Sequence, residues 1–461
     1  MADDVAQLLD PKASNKDTIN HKVVPIIVVP GVMGTRLDFQ GAAPNWDPDS
    51  RLAMSDLAAA DDIERLKFLN PGPTPSKQPF RVFGAKATKQ IEPKGTLIGL
   101  AAKEDPKKTV LQVYTDRGWT QACWEFYGEV LIQLEDKLNT GRRKIDMPVY
   151  CVGYDWRESN VRSGARLVGE IDRILARHKL AKKVIIVTHS MGGLVTRAAM
   201  AISGFQKIAG VVHCMLPADG AVVAYRRFQT GANTPFDVAQ PNSPVAETIA
   251  TAVLNRIMGA ERVSYAAIQS VLAGPLQLLP NNAYNGLFLT LADGSTNNGS
   301  TINTIANVYQ VYAQNSPPGL VPNVGESSTQ MIWQAGDTVN LRQRIAAADA
   351  FHSQIQGVFH PNTFLRLGDG LTTDVEFDWR AGLTGQRGNT ADLQLKVTQT
   401  ARQGDPRTGD GTVPAISALC PAVQNPLSRI TFPNVAHSEC FKNQAFRDQV
   451  EADVRTLFGL A

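Results

Sequence analysis

The chain has no C-x-x-C pair, and its five cysteines (Cys123, Cys151, Cys214, Cys420, Cys440) are odd in number and scattered. Neither a disulfide framework nor a zinc site is suggested, and synthesis in a reducing compartment is expected. No stretch approaches the roughly 18 continuous apolar residues that a membrane span needs. The start, "MADDVAQLLDPKASNKD", lacks the basic and apolar regions of a secretory signal, so the expectation is a protein made in the cytoplasm and exported, if at all, by a signal-independent secretion system. A long Lys/Arg run is also missing, and the net charge is only +3. That balance argues against nucleic acid as a partner. Internal repeats and low-complexity tracts are lacking too.

What is present is ordinary globular chemistry. Apolar residues make up 43% and charged residues 19% of 461 positions, enough to bury a sizeable core with long insertions. "VVPIIVV" (Val23 to Val29) is a short continuous apolar run ended by Pro30-Gly31, as expected of a strand buried on both faces. "MPVYCVGYDW" restarts a strand near Val149, Val184 to Val187 forms another, and "IAGVVHCML" from Ile208 a third. Between them Leu167, Ile171, Ile174 and Leu175 share one helical face, and Met191, Leu194, Val195, Ala198 and Ala199 another. Strand, helix, strand, helix, strand at this spacing predicts an α/β fold with a mostly parallel central sheet covered on both faces. The expected organisation is a tail over 1–22, a first core part over 23–216 with an irregular Pro/Gly-rich insertion at about 38–115, a cap or lid over 217–404, and a returning core part over 405–461. Phe446, Val450, Val454, Leu457 and Phe458 predict a closing helix packed on the core.

"VIIVTHSMGG" (Val184 to Gly193) sets one serine between a β-branched run and two glycines. A serine on such a tight strand-to-helix turn has its hydroxyl lifted clear of the sheet, and the next backbone N–H faces the place where an oxyanion would form. Thr188 departs from G-x-S-x-G at the first glycine, and a Gly-rich helix start with a capping serine is the plainer alternative. A lone serine hydroxyl attacks esters slowly, so Ser190 as nucleophile requires a histidine base and an orienting carboxylate later in the chain. "TGDGTVPAISA" offers Asp410, and "FPNVAHSECF" offers His437. Asp369 in "LGDGLTT" and Asp405 are rivals for the acid. His189 and His213 read as packing or buried structure, His352 and His360 fall in the expected cap, and Cys440 reads as a plain buried thiol. The loop "VVPGVMGTRL" supplies the expected second oxyanion donor, the N–H of Val32, beside that of Met191; an ordinary Pro-Gly turn is its alternative.

With these motifs in order, together with "YDWR" at Tyr154 to Arg157, the chain resembles the lecithin:cholesterol acyltransferase-like family of phospholipases and acyltransferases, over roughly residues 23 to 215 and 405 to 461. The match between them is looser, at "SVLAGPLQLLP", which looks like an apolar lid segment. The resemblance implies an α/β-hydrolase fold, Ser190, Asp410 and His437 in the catalytic roles, and Asp155, Trp156 and Arg157 beside the pocket as substrate-shaping residues. A structural ion pair with an aromatic wedge is the alternative for that triplet, and a second "FDWR" at Phe377 to Arg380 shows how little the triplet says alone. The secreted animal members carry signal peptides and disulfides, whereas here neither is evident, which disfavours acyl transfer to a sterol. "VVHCMLPADGAVVAYRRF" is similar to bacterial lipase effectors delivered by the type VI secretion system. The expected activity is hydrolysis of acyl esters of membrane phospholipids at a membrane surface, with no metal or organic cofactor. An immunity or secretion-apparatus protein is the expected protein partner. Acyl transfer, a non-catalytic binding role and a small-molecule esterase are the alternatives.

Overall fold

Four apolar residues, Ile26–Val29, form β1, and all four are buried. Their alternation decides what they touch, because successive side chains of a strand leave opposite faces. Ile27 and Val29 enter one apolar core and Ile26 and Val28 another. The same split holds in β3 (Val184–His189), where Ile186 joins the first core and Ile185 and Val187 the second. Fully apolar strands therefore mark a sheet with helices on both faces.

The computed structural model describes residues 22–39, 45–72, 78–140, 145–232, 253–284, 289–292, 307–315, 319–380, 393–396, 408–420 and 422–460. With β2 (Val149–Cys151), β4 (Ile208–Cys214), β5 (Thr363–Asp369) and β6 (Ser428–Pro433), the central sheet has the order β6-β5-β4-β3-β1-β2. Every neighbouring pair in it is parallel. The chain runs outward from β1 to β2, then crosses back to β3 on the other side of β1. Loops at the carboxyl ends of β1 and β3 therefore open side by side, the place where doubly wound sheets bind ligands.

Four helices cover the sheet. On the first face lie α2 (Asn160–Arg177) and α3 (Met191–Ser203), which bury Leu167, Ile171 and Ile174 and Leu194, Val195 and Ala198. They approach closely because Gly164 has no side chain: a Cβ there would lie 2.8 Å from the Ala198 Cβ. On the second face α1 (Trp124–Asn139) lies beside the closing helix α8 (Gln444–Leu460), whose Phe446, Val450, Val454 and Leu457 are buried as the spacing predicts. A buried ion pair, Arg366 of β5 with Asp453 of α8, ties the returning strand to that helix.

Two expectations about organisation change. Residues 38–115 are not irregular: they hold helices at Arg51–Ala59, Asp62–Leu69, Ala85–Ile91, Gly95–Glu104 and Val110–Asp116. Each is too short to show a periodic stretch, and two are started by capping boxes, Asp61 with Glu64 and Thr109 with Gln112. The expected cap over 217–404 encloses a core strand, β5, so that span divides. Its first part carries α4 (Val222–Thr230), α5 (Arg262–Gln269), α6 (Ala273–Leu276) and α7 (Ala335–Gln354). Its second is an excursion after β5 with strands at Glu376–Arg380 and Leu393–Lys396, the former holding the second "FDWR". The expected tail lies, up to residue 21, outside the described residues, as does Asp405.

Candidate active site

Ser190 sits between β3 and α3 with φ 51° and ψ −126°. A non-glycine residue in that region costs about 1–3 kcal/mol and persists only where its surroundings over-determine it. Here they do. The Ser190 N–H donates to the Cys214 carbonyl of the next strand at 2.9 Å. A Cβ on Gly192 would lie 2.4 Å from the Val29 carbonyl oxygen, and one on Gly31 would lie 2.9 Å from the Ser190 Cβ. The loop after β1 therefore lies directly against the serine turn, and glycine is required on both sides of the contact.

Thr188, the departure from G-x-S-x-G, has a local partner. Its Oγ1 lies 2.9 Å from Nδ1 of the buried His213 on β4. Burial pushes His213 down to about 3, so the ring is neutral and shares one hydrogen bond with the threonine hydroxyl. The position that favours glycine in the motif is occupied by a side chain satisfied from the neighbouring strand.

The structure brings Ser190, His437 and Asp410 together. His437 Nε2 is 2.9 Å from Ser190 Oγ, and Nδ1 is 2.7 Å from Asp410 Oδ2. The other carboxylate oxygen, Oδ1, accepts the N–H groups of Thr412 at 2.9 Å and Val413 at 2.7 Å. With Oδ1 occupied by backbone donors, Oδ2 is left for the imidazole, and the imidazole Nδ1–H leaves Nε2 free to accept the serine proton. The His437 N–H also donates to the Asp410 carbonyl at 2.9 Å. Acid and base are thus joined through both side chain and backbone. The serine is 4% exposed, so in this conformation it is covered.

Asp369, the rival acid, ends β5 and is buried close by, but its carboxylate is turned to the Thr408 hydroxyl and the Gly370 N–H. Its strand makes room for Asp410: a Cβ on Gly368 would lie 2.6 Å from the Asp410 Cβ. The excursion that starts after β5 returns to its origin, because the Leu371 N–H donates to the Gly409 carbonyl at 3.1 Å. Asp410 consequently occupies the end of β5 although about 40 residues separate it from that strand in sequence.

The loop bearing Val32 is fixed on several sides. Gly34 N–H closes a turn on the Gly31 carbonyl at 3.1 Å, with Val32 and Met33 in its middle and Met33 at φ 62°. Tyr154 Oη donates to the Pro30 carbonyl, Trp46 Nε1 to the Met33 carbonyl, and the Gly31 N–H to Tyr127 Oη. None of these contacts draws on the Val32 N–H. Met191 opens α3, where the first N–H groups have no acceptor within the helix.

The other expected pocket residues have a different setting. Arg157 is 0% exposed. Its guanidinium is paired with Asp155, reaches the Phe68 and Leu69 carbonyls, and lies over the Phe39 ring. Trp156 is buried edge-on against Trp46. The backbone of this stretch receives the cap: the Arg157 carbonyl accepts the N–H groups of Ala273 and Gly274, and a Cβ on Gly274 would lie 2.3 Å from the Trp156 oxygen. "DWR" thus holds the ion pair and aromatic wedge of the second reading and seats the "SVLAGPLQLLP" segment.

His352 is buried and bonded to the Gln277 carbonyl and Asn281. His360 bonds to the Ile208 carbonyl. Cys440 is buried, and burial raises its thiol well above the ordinary range. Sequence reasoning missed Tyr127, which touches both Gly31 and His189. Within "WEFYGEV" it carries only the spacing of an apolar helix face, and no local signal marks it.

A family model described as lecithin:cholesterol acyltransferase matches residues 125–298. That range takes in the Ser190 turn and the start of the cap; it includes neither Val32 nor Asp410 and His437, so it differs from the two core stretches on which the motifs rest. No curated protein matches the chain. Among solved structures, one described as "The crystal structure of Tle4-Tli4 complex" superposes with a TM-score of 0.69 at 19% identity, covering 95% of this chain and 99% of that chain. The described residues have the α/β-hydrolase fold, and over residues 125–298 the chain is similar to the lecithin:cholesterol acyltransferase family.

Proposed function

We propose that this protein is a serine lipase or phospholipase A that cleaves acyl esters of membrane phospholipids. The observation that carries the reading is the unbroken line Ser190 Oγ, His437, Asp410 at the carboxyl edge of the sheet. His437 Nε2 takes the hydroxyl proton as Oγ bonds to the ester carbonyl carbon. The carbonyl oxygen becomes an oxyanion held by the N–H groups of Met191 and Val32, while Asp410 stabilises the imidazolium. Collapse breaks the bond to the leaving alcohol, which takes the proton from His437. Water then repeats the sequence on the acyl-enzyme and releases the fatty acid.

The lipid substrate class is supported by the matched family. Asp155, Trp156 and Arg157 act in this reading as the seat of the cap. No helix among the described residues is long and apolar enough to cross a membrane, and in this reading contact with lipid is peripheral. The "VVHCMLPADGAVVAYRRF" resemblance supports a type VI effector, and the neighbour's description as a Tle4–Tli4 complex supports a protein partner, an immunity protein in that reading. The name of the matched family favours a second outcome, acyl transfer, in which an alcohol replaces water at deacylation.

The test is product release from mixed phospholipid vesicles by the parent protein and Ser190→Ala, resolved by mass spectrometry. The expected outcome is free fatty acid and lysolipid from the parent and a loss of about 10⁴- to 10⁶-fold in the variant. Acylated alcohol among the products would establish the transferase. Equal release from both proteins, or none from either, would overturn the reading.

A further inference from the structure

The Tyr127 hydroxyl and the His189 ring, both buried, make a directed chain of hydrogen bonds. Gly31 N–H donates to Tyr127 Oη at 2.9 Å, so Oη serves as acceptor there. Its own proton is then available for His189 Nδ1, 2.8 Å away. A ring that accepts at Nδ1 and is neutral carries its proton on Nε2. His189 Nε2 lies 2.9 Å from the backbone carbonyl of His437, an atom that can only accept. For a neutral ring only one arrangement of protons satisfies all three contacts. Burial pushes His189 down to about 3, in keeping with a ring that stays neutral.

The chain joins two parts of the site distant in sequence. At one end is the peptide that precedes Val32; at the other is the peptide of His437, whose N–H is already bonded to the Asp410 carbonyl. The glycines of the first loop permit it: a Cβ on Gly34 would lie 2.6 Å from Tyr127 Oη, and one on Gly31 3.1 Å from His189 Nδ1. Simple packing would be served at lower desolvation cost by apolar rings, since a buried polar group is stable only when bonded. Phe441, which lies 5.7 Å from the His189 ring and 5.9 Å from the Tyr127 ring, fills the same cluster without polar atoms.

We infer that Tyr127 and His189 are a positioning pair that sets the oxyanion loop and the His437 backbone in register with each other. This rests on the hydrolase reading above. Neither residue touches substrate; each acts through Gly31 or His437. Transition-state geometry is sensitive to shifts below an ångström, whereas substrate binding by the rest of the pocket is not. Loss of the pair should therefore lower kcat and leave KM.

The test uses the full chain and a short-chain p-nitrophenyl ester, with kcat expressed per site titrated by a fluorophosphonate so that unfolded protein does not count. Tyr127→Phe and His189→Leu are expected to lose about 10- to 100-fold in kcat per titrated site, with KM within about two-fold. His189→Gln, whose amide can still donate to the His437 carbonyl, should recover part of that loss. Combining Tyr127→Phe with His189→Leu should cost little more than His189→Leu alone, because one chain is broken once. Variants within about two-fold of the parent, equal losses for Gln and Leu, or fully multiplicative losses would each overturn the inference. A readout independent of turnover is the tautomer of ¹⁵N-labelled His189 in Ser190→Ala protein. The Nε2–H form is expected in Ser190→Ala and altered by adding Tyr127→Phe; an Nδ1–H form overturns the pair. If the parent hydrolyses no ester while that tautomer is present, the hydrolase reading has failed and the hydrogen-bond chain stands.

Discussion

The serine turn and the acid loop lie at the same edge of the sheet and are built in opposite ways. Ser190 is set mostly by contiguous sequence, a buried strand, Gly192 against the β1 loop and a helix that starts at once, with Gly31 and the Cys214 carbonyl closing on it from neighbouring strands. Asp410 is held by residues from four places, namely Gly368 and Asp369 of β5, Leu371 and Thr373 after it, Val413, and the backbone of His437. The first arrangement is a local conformational constraint. The second is a closure of long loops, stable only once the rest of the fold exists. The proposed nucleophile is thus written into a short motif, whereas the proposed acid depends on the strand end it occupies rather than on its place in the sequence.

The largest expected effect separates the two carboxylates of the acid loop. Asp410→Asn removes the acceptor for His437 Nδ1–H and should lower kcat by about 10⁴-fold. Asp369→Asn, which alters the bonds to Thr408 and Gly370, should keep kcat within about ten-fold and cost about 1–3 kcal/mol of stability. Ester hydrolysis and urea midpoints on both variants check this, and a reversed order would move the acid to Asp369.

Next in size, acid should strike the serine turn through its buried rings. His189 and His213 are pushed down to about 3 by burial. The folded rings stay unprotonated while the unfolded ones take a proton near 6.5, so below that pH the unfolded state binds more protons and stability falls as pH falls. Each ring contributes a slope of up to about 1.4 kcal/mol per pH unit between roughly 6.5 and 3. Asp219, pushed up to about 6 by burial, opposes them between about pH 4 and 6, because there the folded state keeps a proton that the unfolded state has lost. Urea midpoints from pH 7.5 to 4.5 should decline on acidification; a flat profile would contradict the buried neutral rings.

The smallest effect sharpens the comparison at Thr188. Restoring glycine there leaves His213 Nδ1 buried without its partner and should cost about 1–3 kcal/mol. Activity at saturating ester should stay within a few-fold, since the Ser190 backbone is constrained by Gly31, Gly192 and Cys214 instead. Thermal unfolding alongside kcat checks it. A large loss of kcat with unchanged stability would give Thr188 a direct part in the chemistry.

How far the sequence could be read follows from the same contrast. The parallel sheet was legible because strands buried on both faces must be apolar throughout, as Ile26–Val29 and Val184–Val187 are. Ser190 was legible because a tight turn between strand and helix demands small residues at fixed offsets. The helices of 38–115 were hidden by their shortness, and β5 was hidden inside an expected cap because seven residues with an arginine at their centre do not stand out from their polar surroundings. Arg366 is tolerated there because Asp453 of the last helix and the Leu365 and Ser428 carbonyls meet it.

By itself the sequence determined the local constraints: which segments bury both faces, where the chain must turn without a side chain, and which residue types appear in the order serine, acid, histidine. Tertiary structure supplied the contact of Asp410 rather than Asp369 with His437, seated the cap on Asp155–Trp156–Arg157, and joined Tyr127 to His189. Periodicity and spacing report what a residue needs from its immediate neighbours. Hydrogen bonds between residues tens to hundreds of positions apart depend on where the fold carries them, and nothing in the spacing of either partner records that.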